Sequence, residues 1–153
     1  MYYCNINGFQ TKKESIRKII DKLKPKIIAL SETKLASGSS IKSLLPEYDV
    51  CSRPTKAGKR DIAICVKLET FKSILDVTTT PHNDILCVRI CMADCVVRVI
   101  HGYGPQESEN AEIREDFFSE LDLEITNCEM ADELPITVGD MNATVLPLSS
   151  TTS

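Results

Sequence analysis

The feature that most constrains this chain is a set of short apolar runs, each ending in a polar side chain beside a glycine or a loop. The run "PITV" leads through Gly139 to Asp140 and Asn142, and the run "KIIAL" leads to Glu32 in "SETK". Short apolar runs bounded by turn residues predict buried strands. Two further strand ends carry polar groups of the same kind, namely Asn5 and Asn7 at one and Tyr103 at the other.

Two segments between these runs have the periodicity of amphipathic helices. Thr11 and Glu14 have the spacing of a capping box, and apolar residues then recur at helical spacing until Pro25. A second helix is predicted over 110–126. Its apolar face carries Ile113, Phe117, Leu121 and Ile125, and the Glu and Asp residues on its other face indicate a solvated surface. Two strands flank the tight turn "MAD" and predict a hairpin. This order of elements predicts a layered α/β domain.

The charges are unevenly distributed along the chain. The net charge is −4, yet residues 1–72 hold 15 of the 18 basic residues and residues 73–153 hold 15 of the 22 acidic residues. A negative total argues against tight nucleic-acid binding over the whole surface, whereas the basic first half is compatible with a local binding patch. Two solvated surfaces of opposite sign are the alternative interpretation.

Several classes of protein are disfavoured. No apolar stretch reaches membrane-spanning length, and the N-terminus does not have the order of a signal peptide. We therefore expect an intracellular protein, nuclear or cytoplasmic, that is not secreted and has no membrane partner. Cys87, Cys91 and Cys95 have CxxxCxxxC spacing in strand-like sequence, which does not favour zinc. We expect the seven cysteines to be mostly small buried side chains.

The polar strand ends share one kind of chemistry. Strands lying side by side in one sheet would bring these ends together, and the resulting cluster of Glu, Asp, Asn and Tyr is rich in oxygen. Such ligands suit Mg²⁺, and a phosphate is the natural companion of that ion. Asn and Asp are also common turn formers, so each residue taken alone has a structural explanation. The metal hypothesis depends on their recurrence at separate strand ends.

Four motifs in a fixed order carry a resemblance to a known family: "CNING", "LSETKL", "HGYGP" and "VGDMNA". The chain resembles the endonuclease/exonuclease/phosphatase superfamily, and within it the apurinic-endonuclease-like domain of non-LTR (LINE-type) retrotransposon proteins. The resemblance implies an α/β (α+β) fold, part of a four-layer α/β/β/α sandwich of the DNase I-like type. We expect residues 1–143 to be the N-terminal part of such a domain and residues 144–153 to be an unmatched tail.

The resemblance also implies a metal site. Glu32 matches the main metal-binding Glu of the family's E-T-K motif. Asn5 and Asn7 match the N-x-[ND]-G motif, which orders the metal and the phosphate. The implied cofactor is Mg²⁺ or Mn²⁺, and the implied substrate is the phosphodiester backbone of DNA.

Three further positions match residues with catalytic roles in the family. Tyr103 matches the Tyr that contacts the phosphate. Asp140 matches the Asp that aligns or deprotonates the attacking water, and Asn142 matches the Asn that supports the phosphate. The implied reaction is metal-assisted hydrolysis by in-line attack of water.

A basic surface beside this site is predicted from four residues. Lys34 follows the predicted metal ligand, and three more lie in the loop "RPTKAGKR". Positive charge there would suit DNA or an anionic lipid headgroup equally. The residues concerned are Lys34, Lys56, Lys59 and Arg60.

The chain departs from the family pattern in three ways. The family domain continues past its G-D-x-N motif to an element of Ser-Asp-His type, which "TVLPLSSTTS" does not contain. Of the two histidines, His82 falls in a predicted turn, and we expect His101 to pack or hydrogen-bond within the fold. Arg60 and Asp61 stand where relatives usually have a Gly pair, and Ser31 stands where many have Gln.

Three functions remain open at this point. The first is an impaired, Mg²⁺-dependent endonuclease fragment from a retrotransposon-like open reading frame. The second is a catalytically dead remnant that binds a metal or a partner, and the third is a phosphatase acting on a phospholipid or an inositol phosphate. If the second half of the sandwich is missing, an apolar sheet face and a strand edge are uncovered. We therefore expect marginal stability or self-association.

Overall fold

A computed structural model of the chain describes residues 1–35, 38–53, 61–69, 73–79 and 84–142. These ranges contain three helices, α1 (Phe9–Leu23), α2 (Ser39–Leu44) and α3 (Ala111–Met130). They also contain eight strands, which are β1 (Tyr2–Asn5), β2 (Ile27–Ser31), β3 (Tyr48–Arg53), β4 (Ile62–Lys67), β5 (Ser73–Thr79), β6 (Ile85–Cys91), β7 (Val96–Tyr103) and β8 (Leu134–Asp140). The predicted turn with His82 and the tail 144–153 lie outside the described residues.

The strands form two four-stranded sheets. The first sheet has the order β1-β2-β4-β3 and the second has the order β5-β6-β7-β8. Most neighbours are antiparallel, but β1 runs parallel to β2 and β7 runs parallel to β8. The connections across these two parallel pairs contain α1 and α3, as expected, since parallel neighbours need a long crossover.

Three apolar clusters define the layers. One packs α1 and α2 on the outer face of the first sheet, through residues such as Phe9, Ile20 and Leu30. A second fills the space between the sheets, and a third packs α3 on the outer face of the second sheet through Phe117 and Leu121. The order is therefore helix, sheet, sheet, helix, which confirms the predicted four-layer sandwich.

The N-terminus of α1 differs from the prediction. The helix begins at Phe9 with Gly8 as its N-cap, which has no side-chain hydrogen bond to the helix. The capping box at Thr11 and Glu14 is therefore wrong, because Thr11 already lies inside the first turn and its hydroxyl donates back to the Gly8 carbonyl at 3.2 Å. The backbone N–H of Phe9 is satisfied instead by the Thr33 carbonyl at 2.9 Å, which ties the helix to the loop after β2.

Helix α3 and the hairpin follow most of the sequence pattern. Asn110 caps α3, since its side chain accepts from the Glu112 N–H at 3.1 Å, and the helix continues four residues past the predicted end. Of the predicted apolar face, Phe117 and Leu121 are buried and Ile125 packs against the same cluster, whereas Ile113 is 46% exposed. The predicted hairpin is formed by β6 and β7, and the Met92 N–H donates to the Cys95 carbonyl across its turn. None of the helices in the described ranges is long and apolar enough to cross a membrane.

The contact between β7 and β8 requires a glycine at position 139. Gly139 lies opposite Gly102 and has a φ of +142°, a value that other residues rarely adopt. A Cβ atom at this position would lie 1.8 Å from the Gly102 carbonyl oxygen. The glycine therefore allows β8 to approach β7 closely just before Asp140.

Candidate active site

The predicted site residues come from both sheets. Asn5 ends β1 and Glu32 directly follows β2, two parallel neighbours in the first sheet, whereas Tyr103 and Asp140 end β7 and β8 in the second. The expectation that strands of one sheet would bring all these ends together is therefore wrong. Each parallel pair aligns two strand ends at one edge, and the packing of the two sheets brings the pairs together.

The Glu32 carboxylate accepts hydrogen bonds from side chains of both sheets. The Asn5 amide nitrogen and the Tyr103 hydroxyl each donate a hydrogen bond of 2.8 Å to Glu32 Oε1. Both of these bonds therefore end on the same oxygen. Hydrogen bonds from groups on different elements restrict the carboxylate to one orientation and leave Oε2 for another partner.

The backbone around this carboxylate is strained. Among the described residues, six other than glycine have a positive φ, and four of them are predicted site residues. Asn tolerates this conformation better than most residues, but Glu and Lys do not. Such strain persists only where the surrounding structure enforces it, and it concentrates at functional sites. The four residues are Asn7, Glu32, Lys34 and Asn142.

Asn7 and Lys34 form the rim of the site. The Lys34 ammonium donates to Asn7 Oδ1 at 2.5 Å, and the Asn7 backbone N–H donates to Asn5 Oδ1 at 3.2 Å. The amide oxygen of Asn7 is thus bonded to a cationic side chain. Both side chains are exposed, so Lys34 places one positive charge at the edge of the site.

Asp140 and Asn142 form a compact turn at the end of β8. The Asn142 backbone N–H donates to Asp140 Oδ1 at 3.1 Å, and the Asn142 side-chain amide donates to the Gly104 carbonyl at 2.7 Å. The Gly104 N–H in turn donates to the Asp140 carbonyl at 2.7 Å. Asp140 is therefore oriented by the loop that follows β7, which was not anticipated from the sequence.

An open cavity of about 640 Å³ lies against Asp140 and Asn142. Its wall combines polar groups from β1 and β8 with the loop after β7. Sequence reasoning missed Tyr3, although it lies two positions before Asn5 and so on the same face of β1. The lining residues are Tyr3, Asn5, Gln106, Glu107, Gly139, Asp140, Met141 and Asn142.

Two tyrosines experience the negative charge of the site. Burial, the hydrogen bond to Glu32 and the nearby carboxylates raise the pKa of Tyr103 to about 12. Burial also raises the pKa of Tyr3; the side chain of Ser31 opposes that effect, and the charges of Asp140 and Glu32 add to it. Tyr103 therefore remains a hydrogen-bond donor at neutral pH.

A second contact joins the sheets beneath Glu32. The Ser31 hydroxyl and His101 Nε2 lie 2.9 Å apart, and both side chains are fully buried. The Tyr3 ring packs edge-on against the imidazole, with 5.9 Å between centroids. The expectation that His101 packs and hydrogen-bonds within the fold is confirmed, and burial lowers its pKa to about 4.

The donor set has the chemistry of a magnesium site. In the described part of the chain, no three His, Cys, Asp or Glu side chains come together to hold a metal. A cation at Glu32 would therefore use one carboxylate and complete its coordination with water, because the amide oxygens of Asn5 and Asn7 already accept hydrogen bonds. Mg²⁺ usually binds proteins in this way, through one or two carboxylates while keeping several waters. The residues present fit that ion.

Of the predicted basic surface, Lys34 lies among the described residues. Lys56, Lys59 and Arg60 lie outside the described residues. Asp61, which follows them, is buried at the start of β4, and its carbonyl accepts the Thr33 N–H at 3.1 Å. Asp61 thus supports the loop that carries Glu32.

The sequence profile of the endonuclease/exonuclease/phosphatase family matches residues 3–151, nearly the whole chain. The chain belongs to this family. The matched range includes all of the predicted site residues, so the order of motifs and the family assignment agree. None of the curated proteins matches the chain significantly.

Solved structures of similar fold come from several organisms. TDP2 of C. elegans has 17% identity and a TM-score of 0.73 over 97% of this chain and 50% of its own. An AP endonuclease of Archaeoglobus fulgidus has 19% identity and a TM-score of 0.69 over 95% of this chain and 58% of its own. The 3' phosphatase NExo of Neisseria, solved with a product DNA hairpin, has 18% identity and a TM-score of 0.70. The match covers 92% of this chain and 56% of NExo. The chain thus spans half or a little more of these structures.

Proposed function

We propose that this chain carries the metal- and phosphate-binding part of a Mg²⁺-dependent endonuclease that hydrolyses DNA phosphodiester bonds. One observation supports the proposal above the others. Glu32, on strained backbone, is held by Asn5 from its own sheet and by Tyr103 from the opposite sheet, with Asp140 paired to Tyr103 in register. Such an arrangement is costly to build for stability alone.

Each residue has a distinct proposed role. Glu32 would hold the metal through its carboxylate, which Asn5 and Tyr103 orient. When bound, Mg²⁺ supplies positive charge that stabilises the phosphate and the leaving oxygen. Asp140 holds and deprotonates the attacking water from the wall of the cavity, and Asn142 fixes the turn that presents Asp140.

Asn7 and Lys34 act at the rim in this proposal. Asn7 was predicted as a metal ligand, but its amide oxygen accepts from the Lys34 ammonium. We therefore assign Asn7 to holding Lys34, whose charge would face the DNA backbone. DNA as the substrate is supported by the family and by the DNA hairpin bound to NExo. An intracellular site of action would agree with seven free cysteines.

Plasmid nicking under single-turnover conditions tests the proposal. Supercoiled DNA with excess protein and Mg²⁺ should be nicked slowly by the wild type and not by a Glu32→Ala, Asp140→Ala double variant. A Glu69→Ala, Asp76→Ala double variant removes two exposed acids outside the site and should nick like the wild type. Equal nicking by all three proteins would mean a contaminating nuclease or the wrong residues.

A second candidate is a non-catalytic member that binds a metal without cleaving DNA. It is favoured by the position of His101, which is fully buried between the sheets, so that the described residues place no histidine at the mouth of the cavity. Mn²⁺ binding without nicking would support it. A parallel panel of inositol phosphates and phospholipids tests the phosphatase alternative. The retrotransposon origin rests on the motifs, and the reading frame downstream of Ser153 would test it by containing a reverse transcriptase.

A further inference from the structure

The buried pair of Ser31 and His101 lies one step beneath the proposed metal ligand. Ser31 is the last residue of β2 and Glu32 follows it directly, while His101 precedes Tyr103 by two residues on β7. Residues two apart on a strand share a face. His101 and Tyr103 therefore reach the first sheet side by side, one bonding Ser31 and the other bonding Glu32.

The chain turns sharply between these two contacts. Glu32 has a φ of +54°, directly after the regular strand that ends at Ser31. The Ser31 carbonyl accepts the Ile6 N–H at 3.0 Å, and the Glu32 carbonyl accepts the Gly8 N–H at 2.7 Å. The backbone on both sides of the turn is thus tied to the β1–α1 loop, and the side chain of Ser31 adds a link to the second sheet.

We propose that the hydrogen bond between Ser31 and His101 sets the position of the Glu32 carboxylate relative to β7, so that Ser31 and His101 are positioning residues for the metal site. The inference rests on the proposed function, because it assumes that Glu32 binds the metal. The bond is buried on both sides and spans the two sheets. It fixes the separation at which the Tyr103 hydroxyl reaches Glu32 Oε1.

The reach of the Ser31 side chain limits how far apart the two strands can lie. Ser has a short side chain and reaches the imidazole only when β2 and β7 are close together. Removal of the hydroxyl releases one restraint on a strained turn, and that turn carries the metal ligand. Partners that orient a metal ligand commonly change metal affinity by about 10–100-fold when they are removed.

Calorimetric titration with Mn²⁺ alone tests the inference, together with unfolding measured without metal. Ser31→Ala and His101→Leu should each weaken Mn²⁺ binding about tenfold. His101→Gln retains a polar nitrogen near the position of Nε2 and should restore binding to within about threefold of the wild type. Val99→Ala, a buried change on the same strand, should lower the stability and leave Mn²⁺ affinity unchanged.

The outcomes separate this inference from the proposed function. Glu32→Ala should abolish Mn²⁺ binding, and unchanged binding in that variant would refute the proposed metal site and the inference with it. Loss of binding in Glu32→Ala with wild-type binding in Ser31→Ala and His101→Leu would refute the positioning role alone. Equal weakening in Val99→Ala and Ser31→Ala would mean that Mn²⁺ affinity follows general stability, which also contradicts the inference.

Discussion

The hydroxyl of Tyr103 donates a 2.8 Å hydrogen bond to Glu32 Oε1, and this bond joins the two sheets of the sandwich at the candidate active site. The pKa of Tyr103, raised to about 12 mainly by burial, keeps the hydroxyl protonated as a donor. Tyr103 and Glu32 are 71 residues apart in sequence. Their contact therefore depends on the packing of the whole domain.

Tyr103→Phe should weaken Mn²⁺ binding about tenfold, since the carboxylate loses one of the two groups that orient it. Calorimetric titration would measure the change. Tyr48→Phe is the matched control, because the Tyr48 hydroxyl donates to the Pro25 carbonyl at 2.6 Å in a different core cluster. Weakening in both variants to the same degree would contradict a specific role for Tyr103.

The buried imidazole of His101 should make stability depend on pH. Burial lowers its pKa from 6.5 to about 4, so between these pH values the unfolded chain binds a proton that the folded chain does not. The contribution of His101 to the free energy of unfolding is therefore constant above pH 6.5. It falls by about 3 kcal/mol as the pH drops toward 4. Chemical denaturation of the wild type and of His101→Gln at several pH values would measure the difference. If the free energy of unfolding changed with pH in the same way in both proteins, the prediction would be contradicted.

Glu133 should be a major stabilising residue away from the site. Its buried carboxylate bonds Arg89 through Oε1 and Arg98 through Oε2, the latter at 2.9 Å. Burial alone would raise its pKa, but the two guanidinium groups outweigh that effect and lower it. This stabilisation is present above the unfolded pKa and is lost as the pH falls through the lower folded value.

Glu133→Gln should lower the free energy of unfolding by about 3 kcal/mol, because it leaves two partly buried guanidinium groups with too few partners. Glu69→Gln is a suitable control, since its exposed side chain lies 3.9 Å from Lys67, and it should change stability by less than about 0.5 kcal/mol. Urea denaturation at neutral pH would compare the two. A similar decrease in the free energy of unfolding for both variants would contradict a special stabilising role for the buried Glu133 carboxylate.

Gly139→Ala should prevent the close approach of β8 to β7. The new Cβ would lie 1.8 Å from the Gly102 carbonyl oxygen, at a φ that Ala rarely adopts. We expect a loss of more than about 4 kcal/mol, observed as unfolded or poorly expressed protein. Gly8→Ala is strained by a φ of +106° but has no heavy atom closer than 3.8 Å, so it should cost about 1–3 kcal/mol. A native melting temperature in Gly139→Ala would contradict this account.

The chain should self-associate as its concentration rises. Within the described residues, β8 is one of the two edge strands of the second sheet. Leu123, Met130 and Leu134 nearby have exposed fractions of 57%, 82% and 56%. Exposed apolar groups beside a strand edge favour pairing with another chain.

Sedimentation velocity over a range of concentrations would detect this association. Thr137→Lys places a charge on the exposed side of β8 and should shift the population toward monomer. Ser43→Lys adds the same charge on α2 and should have no effect. A monomer that melts cooperatively at every concentration would contradict the prediction.

Most secondary-structure elements could be predicted from local patterns. Phe117 and Leu121 lie on the face of α3 that periodicity indicated, and Met92 lies in the turn of the predicted hairpin. The start of α1 could not be predicted in this way. Thr11 and Glu14 have the spacing of a capping box, but the helix begins two residues earlier, at Phe9. The N–H of Phe9 donates to the Thr33 carbonyl in the loop after β2, a partner that local sequence does not indicate.

The site was predicted as a list of residues but not as an arrangement. Glu32, Asp140 and their neighbours were identified because polar groups at strand ends form a pattern in the sequence. Tyr3 and Gly104 were missed, since a tyrosine in a strand and a glycine in a loop have ordinary structural explanations. The link between Ser31 and His101 was also missed, because nothing in a single sequence indicates which buried hydroxyl faces which imidazole.

The sequence by itself determined the strand ends, the chemistry they carry and the family, because these follow from periodicity, residue type and the order of short motifs. Only the tertiary structure decided that the ends come from two sheets, and that Glu32 is held between Asn5 and Tyr103. The physical reason is that side chains near in sequence are constrained by the backbone between them. Contacts across the sandwich depend on how two apolar faces pack together.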